Sequence, residues 1–303
     1  MIAPTTPASP PSSSLPQAVA LDGVCFSYRG EDILTSITLH VAQGEFLALL
    51  GPNGGGKTTL LRIMMGLLSQ NSGSVAVFGK KPNLARMHVG YVPQFSSIRQ
   101  EFPTTVLETT LMGAACLAPQ NGRHSLFRQK LWPDDALARD KAMNLLDLLG
   151  IADIAARPVH ALSGGQRQRL MVARALMGRQ ERAPFLLLLD EPTASIDQYG
   201  KGCFYDFLDT LRSDITIIIV SHDLTMASPF FSRVALVNKT LSILPDGCPH
   251  SDIMRSFIGP QHGPECPLWQ ITRSSDAECT CHPHTDSANT RALPNALHGS
   301  GLS

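Results

Sequence analysis

The stretch Phe46-Leu-Ala-Leu-Leu-Gly-Pro-Asn-Gly-Gly-Gly-Lys-Thr58 decides the fold of this chain. Its first five residues are apolar, which is typical of a strand that is buried on both faces. Gly51 to Thr58 then matches the pattern G-x-x-x-x-G-K-[ST], in which the backbone N–H groups of a glycine-rich loop surround phosphate oxygens. A helix predicted over about Lys57–Leu67 completes the context that this pattern requires. The sequence therefore predicts an α/β protein that binds a nucleoside triphosphate.

Each part of this loop has an expected task. Lys57 should reach the β- and γ-phosphates, and the Thr58 hydroxyl should bind Mg²⁺. The glycines leave the backbone amides accessible, and the helix that follows adds partial positive charge at its N-terminus. The residues expected to bind the nucleotide here are Gly51, Pro52, Asn53, Gly54, Gly55, Gly56, Lys57, Thr58 and Thr59.

Two further apolar runs predict strands that end beside the loop. Phe185–Asp190 is followed by Glu191, and Ile215–His222 ends on a histidine. Open parallel sheets bind ligands at the carboxyl ends of their strands, so these polar residues should meet the phosphates. Asp190 is expected to bind Mg²⁺, and Glu191 to orient or deprotonate the attacking water. His222 is expected to contact the γ-phosphate.

The rest of the pattern divides the chain into three regions. Residues 1–17 are rich in Pro, Ser and Thr and are predicted to form a disordered leader. Residues 18–245 combine antiparallel strands near the start with alternating strands and helices, and a helical subdomain over about 100–177 is inserted in mid-chain. Residues 246–303 form a tail rich in Cys, His and Pro. We therefore expect one α/β domain between two terminal segments.

Charge and hydropathy exclude two classes of function. The formal net charge is +0, so there is no basic excess to serve as a footprint for nucleic acid, and no nucleic-acid partner is expected. A bilayer-spanning helix needs about 20 mostly apolar residues. The longest apolar runs, Phe185–Leu189 and Ile215–Val220, are much shorter and have the length of strands. The sequence therefore predicts that this chain does not cross a bilayer.

The segment Leu162-Ser163-Gly164-Gly165-Gln166 resembles the signature motif of ATP-binding cassette (ABC) proteins. The resemblance covers about Ala18–Leu244. It implies an ABC-type nucleotide-binding domain of the P-loop NTPase class, with an antiparallel β subdomain and an inserted helical subdomain. ATP and Mg²⁺ are the implied cofactors, and ATP hydrolysis is the implied activity.

The same resemblance assigns roles to further residues. Tyr28 would stack on adenine, and Gln94 would act as the glutamine that contacts Mg²⁺ and the catalytic centre. Asp197 would lie in the D-loop, and His222 would be the switch histidine. The signature residues would close over the γ-phosphate of ATP bound to a second copy of the chain, so a dimer is implied. These signature residues are Ser163, Gly164, Gly165 and Gln166.

Three segments are similar to those of the zinc/manganese/iron importer ATPases. They are Glu101–Gly113, which contains Phe-Pro-Thr-Thr-Val, Val237–Leu241, and Cys266–Leu268. This similarity implies uptake of a divalent metal ion through a separate membrane permease, with an extracytoplasmic metal-binding protein as an indirect partner. The chain would then lie at the cytoplasmic face of the bacterial inner membrane, as a peripheral subunit.

Two other functions stay open from the sequence. One is import of an iron chelate or cobalamin, although the Arg-Tyr-Pro-His-like segment typical of that subfamily is missing after Gln94. The other is a soluble ATPase of the ABC type with a regulatory role. The cluster Cys279-Thr-Cys-His-Pro-His284 offers thiolate and imidazole ligands suited to Zn²⁺. Its spacing is too tight for a zinc-finger pair, however, and the sequence favours a solvated polar tail over a metal sensor.

Overall fold

The computed structural model describes residues 16–94, 104–117, 136–180, 182–194, 196, 198–212, 214–221 and 230–244. Within them, β1 (Gln17–Tyr28), β2 (Glu31–Ala42) and β4 (Ser72–Val77) form an antiparallel sheet in the order β2-β1-β4. The sequence predicted antiparallel strands in this region, and the pairing of β1 with β2 confirms them.

The second sheet has six strands in the order β5-β6-β7-β3-β8-β9. Its strands are β3 (Phe46–Leu50), β5 (Val89–Val92), β6 (Leu186–Asp190), β7 (Thr216–Ser221), β8 (Arg233–Asn238) and β9 (Thr240–Ile243). All neighbouring pairs are parallel except β8 and β9, which form a hairpin. The sheet confirms the predicted parallel core.

Apolar side chains cover both faces of this sheet. Along β3, Phe46, Ala48 and Leu50 pack into one core. This core also contains residues of the helices that lie after residue 100 in the chain. Leu47 and Leu49 point the other way and pack with the antiparallel sheet. Because successive residues of a strand face opposite sides, a strand between two cores must be apolar throughout. This requirement explains the continuous apolar runs in the sequence.

Six α-helices surround the sheets in the described part of the chain. They are α1 (Lys57–Met64), α2 (Pro82–Ala85), α3 (Val106–Leu111), α4 (Ala136–Leu148), α5 (Gly164–Leu176) and α6 (Gln198–Leu211). Leu111, Ala142 and Met177 form a small core that joins α3, α4 and the end of α5. No helix in the described ranges combines the length and the apolar character that a membrane span requires.

Helix α1 is shorter than the sequence pattern predicted. It ends at Met64 and not near Leu67, with Met65 as its C-cap and Gly66 at a positive φ of 66°. A Cβ at Gly66 would lie 2.8 Å from the backbone nitrogen of Asn83, so the chain turns where only glycine fits. The predicted end was wrong by one turn because the apolar periodicity continues past this stop.

Candidate functional site

The carboxyl ends of β3, β7 and β6 lie side by side. Leu50 pairs with Ser221, and Val220 pairs with Asp190. The glycine loop after β3 and the acidic pair after β6 are therefore at one edge of the sheet, as the sequence predicted. In open α/β folds this edge is where ligands bind.

The loop Gly51–Thr58 is held by close backbone packing. A Cβ on Gly51, which has φ 154°, would lie 2.0 Å from the carbonyl oxygen of Val237 in β8. A Cβ on Gly56, at φ 98°, would lie 2.6 Å from Leu34. Glycine is needed at these two positions because both the space and the backbone conformation exclude a side chain. The result is a loop whose path is fixed by its neighbours.

Lys57 is folded back into this loop. Its Nζ donates hydrogen bonds to the carbonyl oxygens of Gly51, at 2.8 Å, and Pro52, at 2.9 Å, and the residue is only 5% exposed. Burial lowers the pKa of Lys57, whereas the carboxylates of Glu191 and Asp190 act in the opposite direction. The ammonium group is thus held in a poorly hydrated loop by backbone carbonyls.

Two hydroxyl groups hold the carboxylate of Asp190. Thr58 Oγ1 donates to Asp190 Oδ1 at 3.2 Å, and the Tyr91 hydroxyl donates to Asp190 Oδ2 at 3.3 Å. Burial raises the pKa of Asp190, and the hydrogen bonds from Thr58 and Tyr91 oppose this effect. Thr58 and Asp190 were both predicted to bind Mg²⁺, and the structure places their oxygens in contact.

This oxygen pair fits Mg²⁺ as it is bound in nucleotide sites. Mg²⁺ takes one or two protein oxygens and completes its shell with water and substrate phosphates. The described residues contain no group of three or more His, Cys, Asp or Glu side chains that could hold a metal by themselves. A hydroxyl next to one buried carboxylate therefore suits a cation that arrives with the nucleotide.

Glu191 follows β6 in a constrained conformation. Its φ is 48°, and its N–H donates to the carbonyl oxygen of Val220 at 3.0 Å. Gln94, just beyond β5, donates from Nε2 to Glu191 Oε2 at 2.8 Å. A positive φ is uncommon for a non-glycine residue and marks a side chain whose direction is imposed by the surroundings. Glu191, predicted to act on the attacking water, and Gln94, predicted to contact Mg²⁺ and the catalytic centre, are thus brought together.

Tyr28 is the last residue of β1, next to the turn that leads to β2. Its side chain is 60% exposed, so one large aromatic surface is accessible to a ligand. The guanidinium carbon of Arg29 lies 5.4 Å from the centre of the Tyr28 ring. This arrangement is compatible with the predicted stacking of Tyr28 on a base, since a planar base can lie against an exposed ring.

Ser163 begins helix α5 with a capping box. Its Oγ accepts a hydrogen bond from the Gln166 N–H at 3.3 Å, and the Gln166 side chain accepts one from the Ser163 N–H at 3.1 Å. The segment is therefore a capped helix start. It is compatible with an anion site, because the serine hydroxyl accepts through oxygen and can still donate its own proton.

A groove of about 340 Å³ runs beside the signature segment. It is lined by Ser163, Gly164, Gly165, Gln166, Arg169, Ile196, Tyr199, Gly200, Cys203 and Phe204. None of these residues belongs to the glycine loop or to the Asp190–Glu191 pair. The chain thus carries two separate candidate phosphate sites, one at the sheet edge and one at the start of α5.

Some predicted residues lie outside the described part of the chain. Asp197 and His222 are among them, as are the leader to residue 15 and the tail beyond residue 244. Their roles stay predictions.

The sequence interpretation missed three residues that contact the site. Tyr91 reaches Asp190, the Val237 carbonyl packs against Gly51, and the Lys239 N–H donates to the Gly55 carbonyl at 3.0 Å. The first contact depends on β5 lying next to β6, and the other two depend on β8 lying next to β3. Asn238 before Lys239 was a usable turn signal, because asparagine is common in tight turns.

The chain matches the family model described as "ABC transporter" over residues 34–194. It is 38% identical over 228 residues to a Chlamydia trachomatis protein named "Probable metal transport system ATP-binding protein", covering 75% of this chain and 90% of that protein. It is 34% identical over 221 residues to the "Manganese transport system ATP-binding protein MntB" of Bacillus subtilis, covering 73% and 83%. It is 32% identical over 254 residues to the "Zinc transport system ATP-binding protein TroB" of Treponema pallidum, covering 83% and 89%.

Among solved structures, the fold is similar to an ABC transporter described as metal-chelate type, in an inward-facing conformation. The TM-score is 0.67 and the identity 25%, with 80% of this chain and 89% of that chain covered.

Proposed function

Because the chain belongs to the ABC transporter family, we propose that it is the ATP-hydrolysing subunit of an importer for a divalent metal ion. ATP binding and hydrolysis are the activities of the family's ATPase domain. The observation that carries the proposal is the meeting of Thr58 with Asp190, and of Gln94 with Glu191, at the sheet edge beside Lys57. These side chains are the hydroxyl, carboxylate, amide and ammonium groups that transfer of a phosphoryl group to water would use.

The loop Gly51–Thr58, together with Thr59, would bind the triphosphate. Its backbone amides and the start of α1 favour negative charge, and Lys57 would exchange the carbonyls of Gly51 and Pro52 for β- and γ-phosphate oxygens. Tyr28 would bind the adenine by stacking. Electrostatic stabilisation and positioning account for most of the catalysis in such sites, so a loop that is already fixed by packing is an advantage.

Thr58 and Asp190 would hold Mg²⁺, with Gln94 as a further ligand when nucleotide is bound. When bound, Mg²⁺ would neutralise negative charge on the phosphate oxygens. Glu191 would orient the attacking water and accept its proton. His222, by its resemblance to the switch histidine, would contact the γ-phosphate.

The groove at the start of α5 supports a role for a second copy of the chain. Ser163, Gly164, Gly165 and Gln166 would contact the γ-phosphate of ATP bound to the partner, and Asp197 would lie at the same interface. A helix N-terminus stabilises an anion through its free N–H groups and its dipole. Each chain would then supply half of two composite sites, and two chains would enclose two ATP molecules.

The cargo is proposed from the relatives. Proteins at 32% and 34% identity are named for zinc and manganese transport systems. By this likeness, the chain would energise uptake of zinc, manganese or iron through a separate permease. It would lie as a peripheral subunit at the cytoplasmic face of the bacterial inner membrane, and an extracytoplasmic metal-binding protein would deliver the ion.

Growth and uptake after gene deletion test this proposal. Cells that lack the chain should lose high-affinity uptake of one of ⁶⁵Zn²⁺, ⁵⁴Mn²⁺ or ⁵⁵Fe²⁺, measured separately. Wild-type chain should restore this uptake, and the Lys57→Ala variant should not. Loss of uptake of an iron chelate, with all three free ions unaffected, would replace the metal-ion proposal with the chelate alternative. Unchanged uptake of all four would contradict an import role.

A further inference from the structure

Tyr91 makes a contact that the nucleotide-binding motifs do not explain. Its hydroxyl donates to Asp190 Oδ2 at 3.3 Å, while Thr58 donates to the other oxygen, Oδ1, at 3.2 Å. Asp190 is 3% exposed, so its carboxylate is held from two sides in a buried position. The orientation of a buried carboxylate is determined by the groups that donate to it.

The position of Tyr91 follows from the strand order. It lies in β5 opposite Leu188 of β6, and Asp190 comes two residues later on the same face of the sheet. Tyr91 packs partly buried against the core that also contains Leu60 and Leu61 of α1, the helix that begins at the glycine loop. The phenol therefore lies between the sheet and α1, the helix to which Thr58 belongs.

The tyrosine hydroxyl is a donor and not an acceptor in this contact. Burial, followed by the charge of Asp190, raises the pKa of Tyr91 to about 12. The phenol therefore donates this hydrogen bond, because an ionised carboxylate oxygen can only accept. The hydroxyl of Thr58 would turn to Mg²⁺ when nucleotide binds, and Tyr91 would then be the side-chain donor that remains on Asp190.

We propose that Tyr91 is a positioning residue that holds the Asp190 carboxylate in the orientation needed to bind Mg²⁺ with ATP. This inference rests on the proposed function of the site. Groups that hydrogen-bond to metal ligands fix the ligand geometry, and their loss typically lowers metal affinity by about 10- to 100-fold. A single long hydrogen bond places Tyr91 near the lower end of that range.

Equilibrium ATP binding by the purified full chain, at graded Mg²⁺ concentrations and in EDTA, tests the role of Tyr91. In Tyr91→Phe, the Mg²⁺ concentration that gives half of the Mg²⁺-dependent gain in ATP affinity should increase about 10-fold. ATP affinity in EDTA should stay at the wild-type value, because the Tyr91 hydroxyl donates its hydrogen bond to Asp190 and not to the glycine loop. A purely structural role would instead weaken binding equally with and without Mg²⁺, and that result would overturn the inference.

Tyr205→Phe is a matched control. Tyr205 is a buried tyrosine of α6 that packs against Phe230 and Phe231 and lies outside the nucleotide site. Its variant should keep the wild-type Mg²⁺ dependence. If Tyr91→Phe lowers the melting temperature, the electron paramagnetic resonance spectrum of Mn²⁺ bound with ATP gives a second measurement. An unchanged spectrum would contradict the role of Tyr91.

The two proposals fail in different ways. If wild-type chain binds ATP with the same affinity in Mg²⁺ and in EDTA, the proposed Mg²⁺-dependent function is wrong. If wild-type binding depends on Mg²⁺ and Tyr91→Phe shows the same dependence, only the role of Tyr91 is wrong.

Discussion

The glycine loop and the signature segment both begin a helix, yet their surroundings differ. The loop is packed against β8 and Leu34, and Lys57 and Thr58 make hydrogen bonds to other parts of the site. At the signature segment, the hydrogen bonds of Ser163 and Gln166 close on each other, and a Cβ on Gly165 would meet no atom within 4 Å. One region is packed against other parts of its own chain, whereas the other opens onto a groove.

Under the proposed function, this difference would divide one reaction between two anion sites. The packed loop would bind a nucleotide with parts of its own chain, because the Asp190 carboxylate, the Thr58 hydroxyl and the Lys57 ammonium group are already close together. The open segment offers only a helix start, and it needs a phosphate brought by another molecule. We therefore expect changes in the loop to affect ATP binding by one chain, and changes in the signature segment to affect hydrolysis by the assembled dimer but not ATP binding by one chain.

The largest effect is expected for Glu191→Gln. Loss of the general base should lower the steady-state rate of ATP hydrolysis by about 10²- to 10⁴-fold, while ATP still binds. Phosphate release and ATP binding measure the two effects, and light scattering should show an ATP-bound dimer that persists. Glu108→Gln is a control that keeps its capping box, since Gln replaces Glu in that role. Normal hydrolysis by the Glu191→Gln variant would contradict the assignment of Glu191 as the general base.

A pair of glycine variants compares the two regions directly. Gly51→Ala places a Cβ 2.0 Å from a backbone carbonyl, and overpacking of this kind costs roughly 1–3 kcal/mol. ATP affinity should fall about 10-fold, with a lower melting temperature. Gly165→Ala enters open space, so ATP binding by the single chain and the melting temperature should stay unchanged while hydrolysis falls. Equal loss of ATP affinity in both variants would contradict the division of roles.

Ser163 gives the smallest and most selective effect. Ser163→Ala removes an N-cap and should lower the free energy of unfolding by about 1 kcal/mol. Asparagine is an equally good N-cap, so Ser163→Asn should keep the stability. If the hydroxyl also contacts the partner's phosphate, both variants should lose hydrolysis. Full activity in Ser163→Asn would mean that the serine acts only as a cap.

The sequence predicted the strands that are buried on both faces and the loop between β3 and α1. These features depend on local sequence pattern, since a short continuous apolar run is typical of a strand that is buried on both faces of a sheet. It did not predict β5, which has four residues and contains Gly90. There a Cβ would lie 2.8 Å from the Ala175 carbonyl, so the close approach of α5 requires glycine in a strand.

Contacts between distant segments could not be predicted in the same way. The hydrogen bonds of Tyr91 with Asp190, and of Lys239 with Gly55, join residues that are far apart in the chain. They exist because the sheet places β5 beside β6 and β8 beside β3, and no local pattern encodes this order. Resemblance to a known family predicted that Gln94 belongs to the catalytic centre, and the structure adds its hydrogen bond to Glu191.

Mixing two inactive variants tests the composite site most directly. Lys57→Ala disables the loop, and Gly165→Asp disables the signature segment, since a carboxylate there repels phosphate but finds open space and a favourable helix start. A mixed dimer has one site with both changes and one site with neither. The mixture should therefore hydrolyse ATP, at up to about a quarter of the wild-type rate if chains pair at random. A mixture as inactive as its components would contradict a site shared between two chains.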